Sequence, residues 1–305
     1  MELTIVLQQM LVLFSMMSVG FALRRQGVLD QKGNGLLTRL ILDVALPAAI
    51  ITGVAGAPGE RENAHLFYVI GLAFLLFFLF CLVAIPATWL MRPKREDFGA
   101  LASVALFPNI AFMGFPLMMA LYGPESMFYG VLVNLVFNVF ALSIGVKLLA
   151  GSQAKMSLKL IFNIAMNASL VGIALFVLNI TLPPVINIPM THLGNMLTPL
   201  GMLLLGSILG GMDLKSVFSG WRIYAASFVK LLVVPVVVYL VLIQITDNVL
   251  MIGSMVIMSA VPTAPRTAML AVRFGGNTEL VSQGIFISTI LSIAAFPLLF
   301  LLLGL

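Results

Sequence analysis

Of 305 residues, 61% are hydrophobic and 9% charged, and the mean hydropathy is +1.15. Soluble domains carry about 25% charged residues, so this composition reads as a polytopic membrane protein. The formal charge of +5 is then a question of which loops hold basic residues rather than a sign of nucleic-acid binding, and the lone Cys81, inside an apolar run, excludes a disulfide framework or a multi-cysteine metal site.

In chain order, the first apolar stretch, Leu3 to Leu23, has Glu2 before it and Arg24 and Arg25 after it. That charge order is the reverse of a cleavable signal's, so the stretch is expected to stay as a first helix. A hydrocarbon core of about 30 Å needs about 20 helical residues. On that ruler the chain divides into ten spans, at roughly 4–23, 34–54, 65–91, 98–121, 125–149, 158–179, 190–211, 218–243, 248–274 and 279–304. Connectors after odd spans hold Arg24, Arg25 and Lys32; Arg92, Lys94 and Arg95; Lys147, Lys155 and Lys159; Lys215 and Arg222; and Arg273. Connectors after even spans hold Arg61 as their basic residue, beside Glu60, Glu62, Glu125 and Asp247. Basic loops stay in the cytoplasm, so both termini are expected outside it.

Five spans per half make the second half enter the membrane from the opposite side to the first, as in an inverted-topology repeat. Residues 1–150 are the expected first repeat, 151–157 a cytoplasmic linker and 158–305 the second repeat. The fold class expected is all-α, with ten transmembrane helices as two inverted five-helix repeats. The fourth span of each half is interrupted by prolines. The first break runs Phe107-Pro108-Asn109-Ile110-Ala111-Phe112-Met113-Gly114-Phe115-Pro116, and the second Ala260-Val261-Pro262-Thr263-Ala264-Pro265-Arg266. Non-helical backbone at membrane depth is tolerated inside protein or facing a water-filled cavity. Paired interruptions in two halves point to a transporter's binding site, so the broken helices 4 and 9 are expected to cross near the membrane centre.

Polar groups at that depth are costly and face a bundle interior or cavity. Asn109 brings an amide that donates and accepts, between Pro108 and Gly114, where glycine permits close backbone approach. Pro116 can open a half-helix, whose N-terminus favours an anion. The competing reading is a proline kink with Asn109 tying up loose carbonyls. Thr263, Arg266 and Thr267 follow the second break. Arg266 either aims its donor fork at a carboxylate or snorkels to the cytoplasmic face near Arg273. Asp43 lies mid-way along span two, four residues after Arg39. It is either half of a local salt bridge or a protonatable coupling carboxylate. Lys230, near the centre of span eight, either pairs with a carboxylate, for which Asp43 is the acidic residue at comparable depth, or loses its proton. Asn134 and Asn138 share a face of span five, as do Asn163 and Asn167 of span six. They either line the cavity or make interhelical hydrogen bonds. Gly201, Gly206, Gly210 and Gly211 suit close helix packing or a subunit interface. No phosphate loop, HExxH spacing, Ser/His dyad or pair of catalytic aspartates occurs, so neither a catalytic nor a metal site is expected.

The chain resembles the auxin efflux carrier family, within the bile acid/sodium symporter-like superfamily. The likeness rests on Pro108 to Leu117 running on to Leu121-Tyr122-Gly123, on Leu23 to Leu29 with Leu42-Asp43-Val44-Ala45-Leu46-Pro47, and on Pro262-Thr263-Ala264 with Ser288 to Ser292. It covers essentially the whole chain. It implies helices 4 and 9 crossing at the prolines, a scaffold of helices 1, 2, 6 and 7, a transport domain of helices 3–5 and 8–10, elevator motion and a homodimer. By that analogy the substrate carboxylate would meet Asn109. The reading of the residues themselves adds Pro108, Ile110, Gly114, Asn134, Asn138, Pro262, Thr263 and Arg266 around it, with Asp43 and Lys230 for coupling or gating. Arg266 stands where the family usually has a small or polar residue, and span three lacks the charged pair of the plant members. The expected function is a secondary active or potential-driven transporter of small organic anions (mono- or dicarboxylates, auxin-like acids) in a bacterial inner membrane. It would need no cofactor beyond a coupling H+ or Na+. The rival expectation is a membrane sensor that binds a small molecule or lipid at the crossing without turnover.

Overall fold

Short polar side chains mark the helix starts, because an Asx oxygen can accept one of the backbone N–H groups that a first turn leaves free. Asp30 Oδ1 accepts from Gly33 N at 2.7 Å, Asn163 Oδ1 from Met166 N at 3.0 Å, Asn248 Oδ1 from Met251 N at 3.0 Å and Asn277 Oδ1 from Leu280 N at 3.1 Å. In this computed structural model, residues 3–55, 63–150, 163–211 and 220–304 are described, and the expected linker 151–157 lies outside them.

The helices in chain order are α1 (Leu3–Arg25), α2 (Gln31–Leu40), α3 (Leu46–Ala55), α4 (Asn63–Leu90), α5 (Arg95–Leu106), α6 (Phe115–Tyr122), α7 (Met127–Phe140) and α8 (Val146–Ala150). Then come α9 (Ile164–Val177), α10 (Pro184–Asn195), α11 (Leu197–Gly210), α12 (Trp221–Phe228), α13 (Val234–Leu242), α14 (Val249–Ala260), α15 (Arg266–Phe274) and α16 (Thr278–Leu303). The chain is all-helical, with no strand among the described residues. Among the described residues, seven stretches are long and apolar enough to cross a membrane: Leu7–Arg25, Gln31–Ala55, His65–Leu90, Pro124–Leu149, Pro184–Gly210, Trp221–Leu242 and Thr278–Leu303. The other three expected spans fall short for identifiable reasons. The one at 98–121 is divided between α5 and α6, and the one at 248–274 between α14 and α15. The one at 158–179 starts outside the described residues and continues as α9.

Wide π turns join several of these helices, and proline accounts for three of them. Ile41–Ala45, Ile110–Gly114 and Val229–Val233 each end two residues before a proline: Pro47, Pro116 and Pro235. A proline ring clashes with the carbonyl four residues back. Those carbonyls belong to Asp43, Phe112 and Leu231, so the clash falls inside each π turn and is relieved by the wider winding. In the fourth, Ala141–Gly145, Ser143 Oγ instead donates to Val139 O at 2.6 Å.

The most extensively packed helix pair among the described residues is α1 against α11. A Cβ added at Gly206 would overlap the Met17 carbonyl oxygen, and one at Gly20 would overlap that of Leu203. The span-seven glycines Gly206 and Gly210 therefore seat α1 of the same chain, which corrects the alternative of a subunit interface for them. Gly201 faces Phe112 O of the first break, 3.2 Å from its Cβ position. Replacing Gly206 by valine is expected to lower the stability by about 1–3 kcal/mol, because backbone must move to admit the side chain. Thermal unfolding in detergent reads that loss, with a substitution at an exposed position of α1, Val19→Ala, as the control.

Candidate functional site

Both breaks follow from proline. Pro108 has no N–H, so the Val104 carbonyl, four residues back, loses its helical donor. The other break supplies a replacement: Thr263 Oγ1 donates to Val104 O at 2.8 Å. The two segments are also joined through their backbones. Asn109 N donates to Pro262 O at 2.7 Å and Ala264 N to Phe107 O at 3.0 Å, making an antiparallel bridge between Pro108 and Thr263. The two breaks, far apart in sequence, thus meet, as their paired positions led one to expect.

Thr263 is a junction. Its N–H would bond Ser259 O in a continuous helix, but it donates to Ser288 Oγ of α16 at 3.0 Å. Ser288 Oγ also lies 3.2 Å from Thr263 Oγ1. The Ser259 carbonyl left over is taken by Lys230, whose Nζ donates to it at 3.0 Å and sits 4.6 Å from the centre of the Phe80 ring. Lys230 is 0% exposed. Its partner is therefore the frayed end of α14. Asp43 is exposed and forms no ion pair, with Lys230 or with Arg39, among the described residues. The expected Arg39–Asp43 pair fails because the π turn beginning at Ile41 breaks the i,i+4 alignment.

On the first break, Asn109 is 2% exposed and its Oδ1 accepts from Phe112 N at 3.3 Å, capping the turn Ile110–Gly114. Its Nδ2 is buried with no hydrogen-bond partner. The amide therefore serves the kink through an N–H rather than through the carbonyls that the kink reading named, and keeps a donor free. Ile110 is buried, and Gly114 admits Met258, whose sulfur lies 2.8 Å from the glycine's Cβ position. The turn packs against α7, α11 and α14.

A second polar group links three helices. Arg266 opens α15 and its Nη1 donates to Asn138 Oδ1 of α7 at 2.6 Å. Asn163, the cap of α9, donates to the same oxygen through Nδ2 at 3.2 Å. Asn138 Nδ2 in turn donates to Asn134 O at 2.8 Å. The half-buried Arg266 thus points into the protein rather than snorkelling outward, and has no carboxylate partner among the described residues. Asn134 is 4% exposed, and its Nδ2, like that of Asn109, makes no hydrogen bond. Two buried amide donors and a guanidinium with spare N–H groups leave this region rich in donors and short of acceptors.

A family profile described as membrane transport protein matches residues 5–300. The chain belongs to that family. This agrees with the resemblance to auxin efflux carriers and makes the protein a membrane transporter, not an enzyme. Two similar proteins are described as uncharacterized transporters. One, from Methanocaldococcus jannaschii, is 23% identical over 298 residues, covering 94% of this chain and 96% of its own. The other, from Methanothermobacter thermautotrophicus, is 24% identical over 296 residues, covering 92% of each.

Two parts of the candidate site escaped the sequence. Asn163 reads as a generic interhelical donor, yet Asn before an apolar helical run is a cap signal that would have fixed it at the start of α9, facing Asn138. The bond from Thr263 to Val104 was deducible in half: Pro108 announces the orphaned carbonyl, but nothing local names the donor. Replacing Thr263 by valine, which keeps the shape, is expected to cost about 1–3 kcal/mol, since it strands a buried carbonyl. Thr263→Ser, which restores the hydroxyl, is expected to recover most of the thermal stability.

Proposed function

We propose that this transporter carries small organic anions, binding their carboxylate at the crossing of the two breaks. The excess of donors there carries the reading: Arg266 without an ion-pair partner among the described residues, and the unpartnered Nδ2 atoms of buried Asn109 and Asn134. A carboxylate offers two oxygens with about four acceptor sites, and a guanidinium fork matches that geometry. Pro108, Ile110, Gly114, Pro262 and Thr263 shape the wall, and Asn138 orients Arg266. In this reading the chain is two inverted repeats of five helices, with both termini outside the cytoplasm. A transport domain of helices 3–5 and 8–10 rises and falls against a scaffold of helices 1, 2, 6 and 7 in a homodimer. H+, Na+ or the membrane potential supplies the driving force, with Asp43 and Lys230 as the coupling or gating groups. The link from Asn163 to Asn138 then joins scaffold to transport domain, and must break for the carrier to move.

Uptake into proteoliposomes tests this with a panel of radiolabelled mono- and dicarboxylates, followed by counterflow exchange. At least one anion is expected to enter saturably, and Asn109→Ala is expected to raise its KM about tenfold, for loss of a hydrogen bond to a charged group. Saturable binding without counterflow would replace this reading with that of a ligand sensor. Transport indifferent to Asn109→Ala would move the site elsewhere.

A further inference from the structure

Away from the crossing, a cavity of about 710 Å³ opens where the ends of α4 and α12 meet. Three guanidinium groups, those of Arg92, Arg95 and Arg222, line it together with Trp89 and Trp221. No carboxylate lines it among the described residues. The acidic residues nearest in sequence are engaged elsewhere: Glu96 lies 3.9 Å from Lys94, and Asp97 accepts from Asn277 Nδ2 at 2.8 Å. The cavity is therefore a concentrated positive site.

One of its basic groups is held in place. Arg222 Nε donates to Met91 O at 3.0 Å and its Nη2 to Arg92 O at 3.2 Å, fastening α12 to the loop after α4. Two of its five N–H groups are used in this way, and the rest are free to meet a ligand. Arg92 has φ 46, in the left-handed region that non-glycine residues rarely occupy. Just past the end of α4 this is a common way for a helix to stop, and it turns the Arg92 carbonyl to where Arg222 bonds it.

The position identifies the occupant. Trp89 is the last residue but one of the apolar stretch His65–Leu90, and Trp221 is the first of Trp221–Leu242. Both tryptophans therefore stand where a span meets the membrane surface, the level at which indole rings concentrate. Trp89, Leu90 and Trp221 are 71%, 71% and 60% exposed, so apolar surface continues from the cavity rim onto the spans. A soluble anion would use the arginines and leave that surface bare. A lipid uses both.

We propose that this cavity binds the phosphate-bearing headgroup of an anionic phospholipid, with its acyl chains lying along the exposed ends of α4 and α12. The guanidinium groups grip the phosphate oxygens, and the indoles flank the glycerol region. Because Arg222 ties α12 to the α4–α5 loop, the bound lipid would brace the same joint.

The chain has two tryptophans, and both line this cavity, so tryptophan emission, excited selectively over tyrosine, reports on it alone. The purified protein is reconstituted in phosphatidylcholine vesicles containing equal mole fractions of brominated phosphatidylglycerol or brominated phosphatidylcholine. Brominated phosphatidylglycerol is expected to quench tryptophan emission more strongly than its mole fraction allows. The double substitution Arg92→Gln and Arg95→Gln, at two exposed positions, is expected to reduce that preference by about fivefold for each arginine. Equal quenching by the two lipids would overturn the proposal, and needs no variant to read. So would a preference that survives the double substitution. If the brominated lipids quench equally while inorganic phosphate at matched ionic strength changes the tryptophan emission, the cavity takes a free anion and the lipid assignment falls.

Discussion

Replacing Arg266 by glutamine is expected to raise the KM for an anionic substrate at least about 30-fold, with the protein still folded. The magnitude follows from removing one partner of a hydrogen-bonded charge pair, which costs about 2–5 kcal/mol when the pair is shielded from water, where about 1.4 kcal/mol is a factor of ten. Glutamine keeps an amide N–H that can reach toward Asn138 Oδ1, the oxygen that Arg266 now bonds at 2.6 Å. The contact among α7, α9 and α15 therefore survives while the positive charge goes. Arg266→Lys separates charge from shape: it retains the cation and loses the two-pronged fork, so an intermediate KM is expected. Initial rates of uptake across a range of substrate concentrations decide the matter. An unchanged KM in Arg266→Gln would show that the anion is held elsewhere.

Lys230→Met is expected to separate transport from stability. The lysine is fully buried, has no carboxylate partner among the described residues, and donates to Ser259 O. Desolvating a charged amine costs several kcal/mol. A hydrogen bond from a charged group returns about 1.5–3 kcal/mol, and a desolvated cation over an aromatic ring about 2 kcal/mol. These nearly offset, so methionine, of similar length and with no polar head to desolvate, leaves mainly the cost of the stranded Ser259 carbonyl, about 1–3 kcal/mol. The effect on turnover is expected to be at least tenfold, because the end of α14 loses the group that fixes the second break. Thermal unfolding and counterflow measured on the same preparation give both quantities. A large fall in stability with normal turnover per folded molecule would make Lys230 a structural residue.

Composition and proline placement carried the architecture furthest. Apolar length alone located the stretches now seen as Pro124–Leu149 and Thr278–Leu303, and the prolines at 108 and 262 located both breaks. Pairing across the chain was harder. That the two breaks would meet followed from their paired positions, whereas the bond from Asn109 N to Pro262 O and the grip of Lys230 on Ser259 did not, the latter depending on which carbonyl the second break abandons. Thr263 decides that by turning its N–H to Ser288, and no sequence rule specifies the turn. Asp43 shows a periodicity argument failing for a local reason. Its spacing from Arg39 is right for an α-helix, but Pro47 widens the winding between them, and the two form no ion pair among the described residues. The same rule, applied to Pro116 and Pro235, would have flagged the two other proline-linked π turns.

The hydroxyl of Thr263 reaches a carbonyl 159 residues earlier in the chain. A ribosome adding about 5–20 residues per second needs roughly ten to thirty seconds to cover that interval. Throughout it, Val104 has neither its helical donor nor its eventual one, and a bare carbonyl in lipid costs several kcal/mol. The first half is thus born with an unfinished helix that the second half completes. Biogenesis of this protein must shelter α5 and α6, beside insertion machinery or in a hydrated pocket, until α15 emerges.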